Sequence, residues 1–249
     1  MSIHSKRALV LTGLIGIGLS TSAAAAPHVI GACMTITQPG SYVVSKNLAA
    51  AGGDCLVVAS DFVTIDLDGF VISGANGGSG VVEQNAQPFR GITVRNGTIT
   101  GFAQAILLQN SSGVTVERIN ATANAFNGIV VGDNSTVRDS VAIGNGNVGI
   151  ALGQRALVTG NTSDDNGFSG ILIGIGGNVL GNTTGHNKGS GISTSEGANV
   201  VNNVSRNNSV DGIFMDCPSA AIANTTSNNL GQNLHLISGA CLSEHNSTL

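Results

Sequence analysis

The sequence predicts an all-β chain wound into a parallel β-helix, a solenoid of roughly ten coils with a 21-residue period. Three observations carry this expectation. Residue types recur in register every 21 positions, the apolar pieces are only three to five residues long, and glycine and asparagine punctuate each repeat.

The period is explicit in several columns. Gly128-Ile129, Gly149-Ile150, Gly170-Ile171, Gly191-Ile192 and Gly212-Ile213 begin successive blocks, and Asn233-Leu234 continues them. Asn124, Asn145, Asn166, Asn187, Asn208 and Asn229 keep the same step, as do Asn161, Asn182, Asn203 and Asn224. Val116, Val137, Val158, Val179 and Val200 form another column, closed by Ala221. Val131, Leu152, Ile173, Met215 and Leu236 form one more, interrupted only by Thr194.

Segments such as Gly-Ile-Val-Val are too short for helices and alternate with the period of a strand. Glycine and asparagine tolerate left-handed backbone, so they mark turns. Three short strands and three turns consume roughly 21 residues, and stacking such triangles pairs each strand with the coil above at about 4.8 Å. Ile129, Ile150, Ile171, Ile192, Ile213 and Leu234 then point inward, while the asparagine columns form amide ladders at a turn. The leucine spacing of a leucine-rich repeat and the calcium-binding glycine-rich nonapeptide are both missing. Upstream, Val94 precedes Val116 by 22 residues and Ile65 precedes Val94 by 29, so that coil carries an insertion, placed at 75–90.

Composition narrows the function classes. The chain has 249 residues and 24.8 kDa, with 36 Gly, 26 Asn, no Trp, one Tyr and only 10% charged residues. Ten basic against fourteen acidic side chains give no electrostatic footprint for nucleic acid. So few Leu, Glu and Lys exclude a helical bundle, and the apolar balance argues against disorder. Lys6 and Arg7, the apolar run 8–19 and the small residues 20–26 have the pattern of a secretory signal peptide over 1–26, cleaved near Ala25 or Ala26. That run is too short to span a bilayer, and no later segment is apolar enough. Residues 27–249 are then expected to form one β-helix domain, secreted or periplasmic.

Four cysteines in an exported chain suggest disulfides. Cys33–Cys55 and Cys217–Cys241 are 22 and 24 residues apart, about one coil each, which places their Cα atoms at disulfide distance. Such bridges would staple the terminal coils, where open strand edges fray.

The segments Cys-Met-Thr-Ile-Thr-Gln-Pro-Gly-Ser-Tyr from Cys33, Val-Thr-Ile-Asp-Leu-Asp-Gly from Val63 and Gly-Ile-Thr-Val-Arg-Asn-Gly-Thr-Ile from Gly91, with the Asn-x-x-x-x-Asn and Gly-Ile coils that follow, resemble exported right-handed parallel β-helix proteins of the pectin-lyase-like superfamily. The resemblance covers nearly all of the mature chain and implies the fold and its right-handed sense. Superfamily members include pectate lyases, polygalacturonases, alginate lyases and epimerases, phage tailspikes, adhesins and periplasmic copper-associated proteins, so fold alone does not select a function.

The polygalacturonase motifs are met only in part, by Asn161-Thr162-Ser163-Asp164-Asp165 and Gly185-His186-Asn187. No calcium cluster of acids with a matching Arg stands out, and the Asp-Pro-His motif of the epimerases is absent. One polar cluster remains. Column arithmetic puts Asp165, His186 and Asn207 on three successive coils, with Asp164 and Arg206 alongside and Lys188 two residues beyond His186. An Asp beside a His favours the imidazolium and poises it for acid–base work. Asp164, Asp165 and His186 are the catalytic candidates, and Lys188 and Arg206 the groups to neutralise an acidic sugar. Solvated charge on a polar turn is the competing reading of the same residues. Asp66 and Asp68 read as strand-and-turn residues, and His235 with Glu244 and His245 lacks the regular spacing of a metal site, so no metal is expected.

Against catalysis stands the outward row Val130, Ala151, Leu172, Ser193 and Phe214, apolar where sugar-cleaving enzymes of this fold carry charges. Phe126 and Phe168 share one column, and aromatic rings suit sugar stacking. Asn-x-Ser/Thr triplets at Asn120, Asn134, Asn161, Asn182, Asn203, Asn224 and Asn246 read as glycosylation acceptors, but a ladder accounts for many of them. The leading expectation is a non-catalytic protein presenting a rigid surface to extracellular or cell-surface polysaccharide. A polysaccharide lyase, hydrolase or epimerase is the alternative, and a copper-associated accessory protein a weaker one. No cofactor, nucleic-acid partner or membrane span is expected.

Overall fold

The computed structural model describes residues 26–237 and 239–249, so the expected leader lies outside the described residues except for Ala26. Ten three- to five-residue strands, from Met34–Ile36 to Leu234–Ile237, pair in parallel as one sheet, one strand per coil. The other nineteen strands form a second parallel sheet that bends through Thr93–Thr100 and Thr115–Thr122. Thr115–Thr122 pairs with both Thr136–Arg138 and Val141–Ile143 of the next coil, so this sheet supplies two faces. The coil is therefore a three-faced solenoid with the expected register: Ile129 stands beside Ile150, Ile150 beside Ile171, and Ile171 beside Ile192. The ten-stranded sheet is called the first face below. The second contains Thr136–Arg138, and the third Val141–Ile143.

Each face needs a corner, and the corners explain the composition. Asn134, Arg155 and Gly176 follow the first face, Asp139 and Gly160 the second, and Gly144, Asp165, His186 and Asn207 the third, all at positive φ. Glycine enters such backbone without strain, and Asn, Asp and His are the side chains most often found there.

Inside the triangle, Ile129, Ile150, Ile171, Ile192 and Ile213 are fully buried, as are Val116, Val137, Val158, Val179 and Val200. Each buried aliphatic side chain contributes about 1.5–3 kcal/mol of burial. Two asparagine ladders close the corners. Asn145 donates from both its backbone N and Nδ2 to Asn166 Oδ1, and Asn166 does the same to Asn187. The second ladder runs through Asn161, Asn182, Asn203, Asn224 and Asn246. Four of its members, Asn161, Asn182, Asn203 and Asn224, are at most 2% exposed, which leaves no room for a glycan at those triplets.

The glycine of each Gly-Ile pair belongs to the same device. A Cβ on Gly170 would lie 2.7 Å from Asn187 Nδ2 and from the Gly191 carbonyl, and one on Gly149 would lie 2.6 Å from Asn166 Nδ2. These glycines are needed for space, since their φ is ordinary.

Both disulfides form as the spacing predicts, with Cα separations of 4.4 Å for Cys33–Cys55 and 5.1 Å for Cys217–Cys241. The insertion is only partly as expected. Within 75–90, Ser79–Glu83 is a regular strand of the first face, paired with Leu56–Val58 and Gln104–Leu108, and the irregular part follows it. Glu83 faces inward and accepts four hydrogen bonds, from the backbone and side chains of Asn110 and Ser111. Those bonds satisfy a carboxylate that is only 3% exposed.

Thr194, the one polar residue in its inward column, is 3% exposed, and its hydroxyl makes no hydrogen bond. Thr194→Val keeps the shape and removes an unpaired buried hydroxyl, so it is expected to stabilise the fold by about 1 kcal/mol. A higher denaturation midpoint checks this, and an unchanged or lower one contradicts it.

Candidate functional site

Asp165, His186 and Asn207 do share a column, because it is the left-handed corner after the third face. Their pairing is not along the column. His186 Nδ1 lies 3.0 Å from Asp164 Oδ1, and Asn207 Nδ2 lies 3.3 Å from His186 Nε2. The Asp165 side chain makes no hydrogen bond to either. Asp164 reaches His186 because the residue one coil above it in the strand register is Gly185, where a Cβ would come within 2.7 Å of Asp164 Oδ1. The imidazole is thus held at both nitrogens by exposed neighbours, with side-chain exposures of 57% for His186 and 35% for Asp164.

Other motif positions turn inward and serve the fold. Ser163 is fully buried and donates to the Gly170 carbonyl at 2.7 Å, while Asn187 is a ladder member. Lys188 and Arg206 are exposed near His186, and Arg206 stands beside Gly185 in the strand register. Among the described residues, Arg95, Arg118, Arg138 and Arg155 pair with carboxylates, whereas Lys46, Arg90, Lys188 and Arg206 do not. Two of the four unpaired cations therefore flank His186.

Two arrangements escaped the sequence reading. On the second face, Asp66, Arg95, Glu117 and Arg138 occupy one outward row on four successive coils. Arg95 Nε donates to Asp66 Oδ2 at 2.8 Å, and Glu117, 5% exposed, meets both Arg118 and Arg138. The alternation neutralises itself, so the row reads as structure. Its signal was in the strand register, hidden by the unequal coil lengths upstream.

Burial alone would raise the pKa of Asp66, but hydrogen bonds from Asn96, the Asp68 backbone and Arg95, with the Arg95 charge, outweigh it and hold the carboxyl below its ordinary 3.8. A depressed folded-state pKa gives stability that is complete above 3.8 and lost as pH falls through the folded value. Asp66→Asn is expected to flatten this acid limb in a denaturation series from neutral pH downward. An unchanged acid limb would contradict the assignment.

The second arrangement is His235 with Asp211. His235 Nδ1 lies 2.8 Å from Asp211 Oδ2, and its ring meets Phe214 edge-on at 5.2 Å. The partner of His235 is thus Asp211, rather than Glu244 or His245. Among the described residues, no three His, Cys, Asp or Glu side chains converge as a metal site. The two partners are 24 residues apart, a diagonal contact that column arithmetic cannot supply.

A family model described as a right handed beta helix region matches residues 35–184. No curated protein matches the chain. Among solved structures, it is similar to the Azotobacter vinelandii mannuronan C-5 epimerase AlgE4 A-module, at TM-score 0.70 and 16% identity over 84% of this chain and 68% of that one. It is also similar to the periplasmic alginate epimerase AlgG, at TM-score 0.51 and 16% identity over 84% of this chain and 62% of that one. The Dettilon tailspike protein gp208 matches at TM-score 0.56 and 13% identity, over 87% of this chain and 60% of that one. At these identities the likeness is one of fold. With ten stacked coils and a family match over more than half its length, the chain belongs to the right-handed β-helix family.

Proposed function

We propose that the protein is an extracytoplasmic, non-catalytic binder of acidic polysaccharide, which lies along the corner carrying His186, Lys188 and Arg206. The observation behind this reading is that Lys188 and Arg206, exposed beside His186, have no carboxylate partner, whereas Arg95, Arg118, Arg138 and Arg155 elsewhere on the coil are neutralised. A polyanionic chain gains most where charge is not already satisfied internally. The two disulfides fit an oxidising compartment, and no helix among the described residues is long and apolar enough to cross a membrane. Structural neighbours named as a mannuronan C-5 epimerase and a periplasmic alginate epimerase support the polysaccharide class.

The test is calorimetric titration with a polyuronate such as alginate. Saturable binding that weakens with added salt and falls about tenfold in Lys188→Ala/Arg206→Ala supports the reading. Binding that ignores both substitutions overturns it.

A second reading, a polysaccharide-modifying enzyme, draws on the Asp164–His186 contact. Asp164 would orient the imidazole through Nδ1, and His186 Nε2, which faces Asn207 Nδ2 at 3.3 Å, would exchange the proton with Asp165 beside it. The 57% exposure of the His186 side chain favours binding over catalysis, since catalytic groups usually sit in an enclosed pocket.

A further inference from the structure

The first face carries a notch whose chemistry differs from that of the His186 corner. Its outward row reads Leu172, Ser193, Phe214 and His235 on successive coils. The middle coil contributes only small side chains, Gly189, Ser190 and Ser193. Phe168 rises from the coil below, and Val210 and Phe214 from the coil above. The result is an open cavity of about 230 Å³. Gly189 sets its floor, since a Cβ there would lie 2.8 Å from the Phe168 carbonyl carbon and the Ser169 N. Phe168 is 52% exposed and has no covering segment among the described residues.

One wall is polar and built. Asp211 is 5% exposed, with Oδ1 accepting from Gln232 N at 2.7 Å and Oδ2 facing His235 Nδ1 at 2.8 Å. No Lys or Arg lines the notch.

We propose that this notch is a subsite for one neutral pyranose residue, its C–H face on Phe168 and Phe214 and its hydroxyls on Ser190, Ser193 and Asp211. Aromatic rings beside a few convergent hydrogen-bonding groups suit a sugar ring, which is apolar on its faces and polar at its edge. Charge selects the class of sugar. The lining holds no Lys or Arg and its one carboxylate already faces His235, so a uronate finds no cation among the lining residues to offset its desolvation, while a neutral hydroxyl finds the serine hydroxyls. The subsite lies between the first face and the turn that carries His186 and Lys188, uses neither of those side chains, and does not rest on the acidic-glycan reading.

The experiment is NMR titration of the full mature chain with neutral hexasaccharides of glucose, galactose, mannose and xylose, with hexauronate in parallel. The expected result is saturable binding of at least one neutral hexasaccharide. Phe168→Ala should weaken it about tenfold, the loss of one aromatic contact. Ser193→Leu, which fills the notch with the residue that the same row carries at Leu172, should abolish it. Lys188→Ala/Arg206→Ala should leave neutral binding unchanged while reducing hexauronate binding, so the two sites fail separately. If no neutral hexasaccharide binds, or if Ser193→Leu binds as the parent does, the proposal is overturned. Both notch positions are surface sites, and an unchanged fold in each variant is checked by circular dichroism.

Discussion

Asn166→Ala is expected to destabilise the protein by roughly 3–5 kcal/mol. The side chain is fully buried and sits at the centre of a polar ladder. Its Oδ1 accepts from Asn145 N at 3.1 Å and Nδ2 at 3.0 Å, and its own Nδ2 donates to Asn187 Oδ1 at 3.0 Å and the Ala142 carbonyl at 3.1 Å. Truncation strips the acceptor from two buried donors of Asn145, and each unsatisfied buried group costs about 1–3 kcal/mol. Asn166→Asp is a sharper version. It keeps the acceptor but sets a carboxylate oxygen against Asn187 Oδ1 and the Ala142 carbonyl. Burial and like polarity raise that carboxyl's pKa, so the variant's stability should fall as pH rises through the carboxylate range, opposite in sign to the Asp66 contribution. Asn120, exposed on the third face, serves as control, and its alanine variant should fall within about 0.5 kcal/mol of the parent. Denaturant midpoints at two pH values decide the matter. Near-neutral behaviour of Asn166→Ala would mean that the ladder does not hold the coils together.

Gly170→Ala is expected to destabilise the protein by about 3 kcal/mol. Glycine-to-alanine substitution at an ordinary φ normally stabilises a protein by about 0.4–1 kcal/mol through the unfolded chain. Here the sign reverses, because the new methyl would lie 2.7 Å from Asn187 Nδ2 and from the Gly191 carbonyl. Gly77 provides the contrast, since a Cβ there meets nothing nearer than 3.9 Å and its φ is ordinary. Combining Gly170→Ala with Asn187→Ala should cost less than the sum of the two, since the amide that the methyl strikes is gone. Strict additivity would show that the glycine and asparagine columns are independent.

The architecture was legible because a solenoid writes each spatial column as a sequence period. Wherever the step is 21, from Val116 onward, inward, outward and corner positions all follow from counting. Upstream the coils differ in length, and there the strand Ser79–Glu83 was taken as part of an insertion, and the row Asp66, Arg95, Glu117 and Arg138 went unseen. Contacts that cross columns were also out of reach. His186 pairs with Asp164, 22 residues away, and His235 with Asp211, 24 residues away. Such diagonals depend on side-chain reach and on what the intervening residue leaves open, as Gly185 does for Asp164. The candidate residues themselves were found because Asn, Asp and His gather at left-handed corners, which is also why their presence says more about backbone than about chemistry.

The central functional claim is that this surface binds polysaccharide without transforming it. The most direct measurement is a turnover screen of the purified chain against alginate, following unsaturated-product absorbance, new reducing ends and C-5 inversion by NMR, with binding measured in parallel. The account predicts saturable binding with no product on any of the three readouts. Product formation that disappears in Asp164→Ala/His186→Ala, with binding and fold retained, would contradict it and make the His186 corner an active site.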